Sequence, residues 1–188
     1  MNRREALGRV GLILGGTVIG GEFFLSGCKS NSNQVNDLFT QDNIMLLNEV
    51  GETILPETTT PGARAANVGS FMVRMVNDCY KPSEQKIFIQ GISRLDEASS
   101  KKFGMKFLQI NVQQKNDLLT GLDKEQNDFS KTKKPENTVH YFTMMKQLTL
   151  LGYFTSEIGA TKALRYVPVP GKYIGNIPYK KGDKAWAL

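Results

Sequence analysis

The chain has 188 residues, of which 40% are hydrophobic and 22% are charged, so it can form one domain with a real core and is not disordered throughout. Its formal net charge is +6, and most of its basic residues are lysines spread along the chain. Beyond residue 27 the arginines do not cluster, whereas a nucleic-acid-binding protein needs a basic stripe with interleaved aromatic residues. We therefore expect no nucleic-acid partner, and we interpret the charge as a solvated surface with a mild attraction for anionic lipid.

The N-terminal segment 1–27 has the order of a signal peptide. Basic residues come first, a weakly apolar stretch at 10–19 follows, and small residues end the segment. The apolar stretch is too short and too rich in glycine to form a lasting membrane span. We therefore expect the protein to be exported and periplasmic.

The tetrapeptide Leu25-Ser26-Gly27-Cys28 resembles a lipobox, the signal for lipid attachment in bacterial lipoproteins. In a lipobox the cysteine thiol accepts diacylglycerol, and the cysteine becomes the N-terminus after cleavage. Lipidation of Cys28 would anchor the mature chain in a membrane, because each buried methylene of an acyl chain contributes ~0.8 kcal/mol. The alternative is an ordinary cleavage site that happens to precede a cysteine.

A second pattern in the same segment concerns the export route. Arg3-Arg4 followed by Leu7 resembles a twin-arginine signal, and the many glycines that follow keep the segment weakly hydrophobic, which favours that route. The match is partial, because Ala6 and Gly8 stand where the twin-arginine pattern usually has Phe and Lys. Export through the general secretory route is the alternative.

Helical periodicity dominates from residue 39 onward. Thr40 is expected to cap a first helix that ends before Pro56, and residues 56–70 form a loop rich in proline, glycine and threonine. A second helix follows, in which Cys79 is expected to face the core as a small buried hydrophobe, with an intersubunit disulfide as the alternative. The predicted apolar face of this helix comprises Val68, Phe71, Met72, Met75, Val76 and Cys79.

Two further helices are predicted in the middle of the chain. The third starts at Pro82-Ser83 and runs to about Ala98. The fourth is opened by Asn111 and Gln114, which are spaced as a capping box. The charged and polar residues 124–137, which include a proline, are expected to form a surface loop.

A fifth helix is predicted from about residue 138 to residue 154. Its apolar stripe comprises Val139, Phe142, Met145 and Leu148. No strand pattern of useful length occurs before Arg165. The predicted fold class is therefore all-α, a small bundle of about five helices.

The C-terminal residues 166–188 differ from the rest of the chain. Their prolines and glycines exclude regular helix and strand, yet several large apolar side chains are present. We expect an extended Pro/Gly-rich arm that lies either on its own bundle or across a partner subunit. The predicted organisation is a signal peptide at 1–27, a lipidated polar tether at 28–38, a helical bundle at 39–165 and the arm at 166–188.

The mature chain lacks the common signatures of catalysis and of cofactor binding. Its one histidine, His140, is expected to be structural. There is no Cys-x-x-Cys-His for haem attachment, no glycine pattern for a dinucleotide and no Gly-x-Ser-x-Gly nucleophile turn, and the acidic residues are dispersed. We predict no catalytic, cofactor-binding or metal-binding residues in this chain.

Two regions of the sequence resemble the gluconate 2-dehydrogenase subunit 3 family. The C-terminal region, 146–178, carries Leu148, Gly152-Tyr153-Phe154-Thr155-Ser156, Gly159, Leu164, Tyr166 and Pro170-Gly171. The earlier region carries Glu52-Thr53-Ile54-Leu55-Pro56 and Thr60-Pro61-Gly62-Ala63. The Asp78-Cys79-Tyr80 and Phe107-Leu108 segments also fit, so that the resemblance covers nearly all of the mature chain.

This resemblance implies a small helical subunit of a membrane-bound dehydrogenase that oxidises a sugar or polyol. The large subunit is then a flavoprotein of the glucose-methanol-choline type, with FAD bound there and not in this chain, and a multihaem cytochrome c often completes the complex. The small subunit is expected to aid export and maturation of the flavoprotein, and its lipobox would make it a membrane tether as well. The twin-arginine route supports this, since it carries folded proteins, usually those loaded with a cofactor.

A contact with the flavoprotein is expected at the end of the fifth helix and along the arm. The candidate interface residues are Tyr153, Phe154, Tyr166, Tyr173, Ile174, Tyr179 and Trp186. Two other functions compete with that of an accessory subunit. One is a free-standing periplasmic lipoprotein that acts as a binding or scaffold module, and the other is an enzyme in its own right.

Overall fold

The computed structural model describes residues 34–132, 139–169, 171–172 and 174–187. These residues contain helices and no strand, so the predicted all-α class is confirmed. The α-helices are α1 (Gln41–Ile54), α2 (Val68–Cys79), α3 (Pro82–Phe103), α4 (Val112–Thr132) and α5 (Tyr141–Phe154). A 3-10 turn at Phe107–Gln109 precedes α4, and a π-helical turn at Gly159–Ala163 follows α5. Among the described residues, no helix combines the length and the apolar character that crossing a bilayer requires.

Several predicted functional residues lie outside the described part of the chain. They are the export-signal residues Arg3, Arg4 and Leu7, the lipidation site Cys28, and Tyr173 of the arm. Their roles stay predictions.

Helix α5 lies at the centre of the bundle and packs against each of the other four helices. Its buried residues are Tyr141, Phe142, Met144, Met145, Leu148, Thr149, Gly152 and Tyr153. They occupy more than the single stripe expected from the sequence, because a helix that is apolar on most sides is stable only when other elements surround it. The buried Thr149 hydroxyl donates to the carbonyl of Met145 at 2.8 Å, so burial leaves this polar group paired.

Close approach of α3 to α5 requires a glycine at position 91. A Cβ atom at Gly91 would lie 2.6 Å from Cβ and from Cδ2 of Tyr141, which is well inside van der Waals contact. The same site buries Tyr141, and this burial raises the pKa of its hydroxyl to about 12, with the nearby Glu125 adding to the shift. The absence of a side chain at one position therefore sets the distance between two helices.

The predicted start of α1 is confirmed. The Thr40 side chain accepts from the N–H of Asn43, and the Asn43 side chain accepts from the N–H of Thr40 at 2.9 Å, so the two form a capping box. Phe39 and Ile44 are both buried on either side of this cap, as expected for a hydrophobic staple. The Phe39 ring also packs edge-on against Phe88 of α3, with 6.1 Å between ring centroids.

Helices α3 and α4 are both longer than expected. Helix α3 continues past Ala98 to Phe103, where Gly104 takes a left-handed conformation at φ +75° and caps the helix. This last turn is mostly polar and has no apolar periodicity. It is stabilised by the buried Ser99 hydroxyl, which donates to the carbonyl of Met105 just beyond the helix at 2.8 Å. The capping box of Asn111 with Gln114 at the start of α4 is confirmed by hydrogen bonds of 2.9 and 3.0 Å.

The prediction of a surface loop at 124–137 is wrong for residues 124–132, because α4 continues to Thr132. Gln126 is buried against α5, where its side-chain oxygen accepts from the Thr143 hydroxyl at 2.5 Å and its amide donates to Asp123 at 2.8 Å. The Lys146 ammonium also donates to Asp123, and this hydrogen bond lowers the pKa of that carboxyl. Polar contacts with α5 thus stabilise this part of α4, which has no apolar face that would have predicted a helix.

Cys79 is exposed, which corrects the expectation that it faces the core. The fully buried residues of α2 follow the row Val68, Met72 and Val76, and the next position in that row is Tyr80. Rows of residues four apart are inclined to the helix axis, so the covered strip moves away from Cys79 at the end of the helix. Its thiol is free in the described structure.

The arm folds into a loop whose two ends meet. The N–H of Arg165 donates to the carbonyl of Ala185 at 2.8 Å, and the N–H of Ala187 donates to the carbonyl of Arg165 at 3.0 Å. The Arg165 guanidinium lies over the Trp186 ring at 4.2 Å from its centroid. The Lys184 ammonium also donates to the carbonyl of Lys162 in the π-helical turn. These contacts fasten the arm at its base.

We predict that Gly91→Ala lowers the free energy of unfolding by roughly 1–3 kcal/mol, because the added methyl group overlaps Tyr141 and forces α3 and α5 apart. Gly121→Ala is the matched control. Gly121 is an exposed position of α4 with nothing near its missing Cβ, so this change should raise the free energy of unfolding by about 0.5–1 kcal/mol through helix propensity. Urea denaturation of both variants measures the difference. Two variants of equal stability would contradict the close contact.

Candidate partner interface

The carboxylate of Glu52, in the last turn of α1, organises the loop that follows. Its two oxygens accept from the N–H groups of Glu57, at 2.8 Å, and of Arg64, at 2.9 Å. A Cβ atom at Gly62 would lie 2.4 and 2.5 Å from these same oxygens, so only glycine leaves room for the carboxylate. One side chain therefore closes the loop onto the end of the helix that precedes it.

The same loop is fastened to the central helix by Tyr153. Its hydroxyl donates to the carbonyl of Pro61 at 2.6 Å, across 92 residues of sequence. The side chain is only 4% exposed. Tyr153 was predicted as an interface residue, but its position in this structure is internal, where it joins the loop after α1 to the end of α5.

The chain turns sharply after α5, and small residues make the turn possible. A Cβ atom at Gly152 would lie 2.6 Å from the Phe71 ring of α2, and one at Gly159 would lie 1.8 Å from the carbonyl oxygen of Tyr153. The Ser156 hydroxyl donates to that carbonyl at 2.6 Å and accepts from the N–H of Gly159 at 3.0 Å. These residues direct the chain out of the bundle and toward the arm.

A second set of charges holds α1, the loop and α4 together. The Glu49 carboxylate pairs with Arg64 of the loop at 2.6 Å and with the buried Lys115 of α4 at 2.9 Å. Lys115 also lies over the Phe107 ring, 5.7 Å from its centroid. Both oxygens of the Glu49 carboxylate are therefore engaged in ion pairs within this chain.

The one histidine caps α5. Its Nδ1 accepts from the N–H of Phe142 at 3.3 Å, and its Nε2 lies 3.6 Å from Glu125. The ring also lies close to those of Phe129 and Tyr141. His140 therefore stands at the N-cap and not within the helix, in the structural role expected for it. In the part of the chain that the structure describes, no three His, Cys, Asp or Glu residues are grouped so that they could hold a metal ion.

Large apolar side chains are exposed mainly toward the C-terminus. Of the fifteen large hydrophobic residues that are exposed in the described ranges, ten lie between Leu150 and Trp186. They are Leu150, Leu151 and Phe154 at the end of α5, and Tyr166, Val167, Val169, Ile174, Ile177, Tyr179 and Trp186 in the arm. The structure thus exposes the predicted interface residues Phe154, Tyr166, Ile174, Tyr179 and Trp186, while it buries Tyr153.

Leu150 and Leu151 were not predicted as surface residues. The signal was present in the run Leu148 to Phe154, where apolar residues exceed what one buried face needs. Sequence periodicity does not show which side of such a helix its neighbours leave uncovered. Leu150, Leu151 and Phe154 together form an exposed apolar surface, the α5 patch, which is separate from the apolar residues of the arm.

A comparison with protein-family models matches residues 41–171 to the family described as gluconate 2-dehydrogenase subunit 3. The chain belongs to this family. The match spans α1 to α5 and the first residues of the arm, and it includes the Glu52 loop, Tyr153 and the turn at Gly159. Comparison with curated proteins and with solved structures gives no significant match.

The two regions that resemble the subunit 3 family lie next to each other in the structure. These regions, Glu52 to Ala63 and Gly152 to Gly159, meet through the Tyr153–Pro61 hydrogen bond. Their polar groups bond to backbone atoms of this same chain. The residues by which the family is recognised therefore build the end of the bundle beside which the α5 patch is exposed.

We predict that Glu52→Gln lowers the free energy of unfolding by about 1–2 kcal/mol, because an amide can accept only one of the two N–H groups that the carboxylate accepts. The loosened loop should also be cut faster by trypsin after Arg64. Glu57→Gln is the matched control, since it removes the same charge from an exposed position in the same loop. Equal cleavage rates in the two variants would show that Glu52 does not hold the loop.

Proposed function

We propose that this chain is the non-catalytic accessory subunit of a periplasmic, membrane-bound, FAD-dependent sugar dehydrogenase of the glucose-methanol-choline type. In this proposal it aids the export, maturation and anchoring of the flavoprotein subunit. The observation that carries the proposal is the contrast between the two kinds of residue at the end of the bundle. The polar groups of the family motifs are bonded internally, whereas the large apolar side chains of the α5 patch face solvent.

A catalytic role has little support in the described residues. Glu49 and Asp123 are paired with lysines, Glu52 holds backbone N–H groups, and His140 caps a helix. Catalysis needs a nucleophile or an acid–base pair directed at a shared space. These groups are directed at the protein itself, so redox chemistry in the complex is assigned to the FAD of the flavoprotein partner, with a cytochrome c as a further subunit.

The flavoprotein contact is placed on the α5 patch and on the first residues of the arm. Phe154 and Tyr166 lie within the family match, as expected for a contact that family members share. Exposed apolar side chains of this size, set on a rigid helix end, are the type that anchors protein interfaces. Phe154 is further held in place by an edge-on contact with the buried Tyr153 ring, with 5.2 Å between centroids.

Export and anchoring are proposed from the N-terminal sequence. A twin-arginine signal at Arg3, Arg4 and Leu7 would carry a folded complex, so a cofactor-loaded flavoprotein could travel with this chain. Lipidation of Cys28 would then hold the complex at a membrane. In this proposal the chain supplies both the export signal and the membrane anchor for the flavoprotein.

We predict that the affinity-tagged full chain, expressed in its native host, retains a yellow flavin-bearing protein. Leu151→Ser with Phe154→Ser should reduce the retained flavin at least tenfold, because truncation of anchoring side chains at an interface costs more than 1 kcal/mol each. Met105→Ser with Leu108→Ser is the matched control, since both residues are similarly exposed elsewhere on the bundle. Flavin absorbance and the mass of the retained protein are the measurements. A wild-type chain that retains no flavoprotein would overturn the subunit assignment.

Cell fractionation tests the two N-terminal signals. We predict that Cys28→Ala moves the protein from the membrane to the soluble periplasmic fraction, because the lipid acceptor is lost. Arg3→Lys with Arg4→Lys should leave both this chain and the flavoprotein in the cytoplasm, since lysine keeps the charge but lacks the planar guanidinium that a receptor can read. Persistent membrane sedimentation of the cysteine variant in high salt would reject lipid anchoring, and normal periplasmic levels of the double variant would reject shared export.

A further inference from the structure

The excess positive charge of the chain is concentrated in the arm. The bundle, residues 39–165, carries sixteen basic and fourteen acidic residues and is almost neutral. Residues 166–188 carry four lysines and a single acidic residue, Asp183, which gives a net charge of +3 over 23 residues. The arm therefore holds half of the chain's net charge of +6 within 23 residues.

The same segment exposes apolar side chains that border the charge. Tyr179 is 83% exposed and is followed directly by Lys180 and Lys181. Val169 is 81% exposed, and Ile174, Ile177 and Trp186 are each about half exposed. Because the base of the arm is closed by the Arg165 backbone pairs and by the Arg165–Trp186 stacking, these side chains are presented on a loop with fixed ends.

We propose that the arm binds the surface of an anionic lipid bilayer. Lys172, Lys180 and Lys181 contact the phosphate headgroups, and the exposed tyrosine, tryptophan and isoleucine side chains of the arm enter the interface between headgroups and acyl chains. Tyrosine and tryptophan are the residues enriched at that depth of a bilayer, and basic residues near the surface are attracted to anionic lipid.

The composition of the arm favours a lipid surface over a protein groove. Protein interfaces are depleted in lysine and enriched in arginine, whereas all the unbalanced cations of the arm are lysines. The nearest arginine, Arg165, is already stacked on Trp186. The family match also ends at residue 171, so all four of these lysines lie beyond the part of the chain that is shared with the family and that holds the proposed flavoprotein contact.

This contact has a consequence for orientation. Attachment at a single point, such as a lipidated Cys28, leaves a protein free to rotate above the membrane. A second contact, made through the arm, would restrict that rotation. The arm therefore positions the subunit, in addition to any anchor.

Vesicle binding tests the proposal directly. The chain from residue 29 onward, which retains every described residue and has no lipid, is mixed with phosphatidylcholine vesicles or with vesicles that also contain phosphatidylglycerol. Trp186 is the only tryptophan of the chain, so its fluorescence reports on the arm alone. We expect sedimentation with the anionic vesicles, a blue shift of the Trp186 emission, and loss of both in high salt.

Two paired-lysine variants decide whether the arm is responsible. Lys180→Gln with Lys181→Gln should weaken binding to anionic vesicles about 30-fold. Lys101→Gln with Lys102→Gln removes the same charge from an exposed pair at the end of α3 and should leave binding within about threefold of wild type. Circular dichroism of both variants confirms that they fold.

Three results would overturn the proposal. They are equal binding to neutral and anionic vesicles, equal effects of the two lysine pairs, and an unshifted Trp186 emission on bound vesicles. A Lys180/Lys181 variant that keeps its vesicle binding but no longer retains the flavoprotein would instead assign the arm to the protein partner. Because the vesicle assay contains no flavoprotein, its outcome is independent of whether the subunit assignment holds.

Discussion

The burial of helix α5 on most of its sides is the constraint from which the rest of the structure follows. Four helices must cover it, and two glycines allow the closest approaches, Gly91 toward Tyr141 and Gly152 toward Phe71. Gln147 and the last turns of α5 remain exposed, and at these last turns large apolar side chains reach solvent.

The polar groups of the chain are used mainly to hold segments in place. Glu52 closes the first loop, Tyr153 ties that loop to α5, and Gln126 joins α4 to α5. A buried polar group is costly unless it is paired, so each of these contacts restricts the chain to one arrangement. The result is a bundle whose segments are joined by paired polar groups.

The surface divides into two parts with different physical character. The bundle is close to neutral and exposes the α5 patch, which suits a stable contact with a protein. The arm is cationic and exposes aromatic residues next to lysines, which suits the boundary of an anionic bilayer. In the proposed function, the first surface would contact the flavoprotein and the second would contact the membrane.

Local sequence determined the helical class, the caps at Thr40 and Asn111, the family and the separate character of the arm, because caps and periodicity depend on neighbours within a few residues. Tertiary structure decided the rest. Cys79 is exposed because the covered strip of α2 is inclined to its axis, Tyr153 is internal because its hydroxyl meets Pro61 across 92 residues, and the polar end of α4 is helical because Gln126 finds partners on α5. These outcomes depend on which segments meet in space, and no pattern within one segment carries that information.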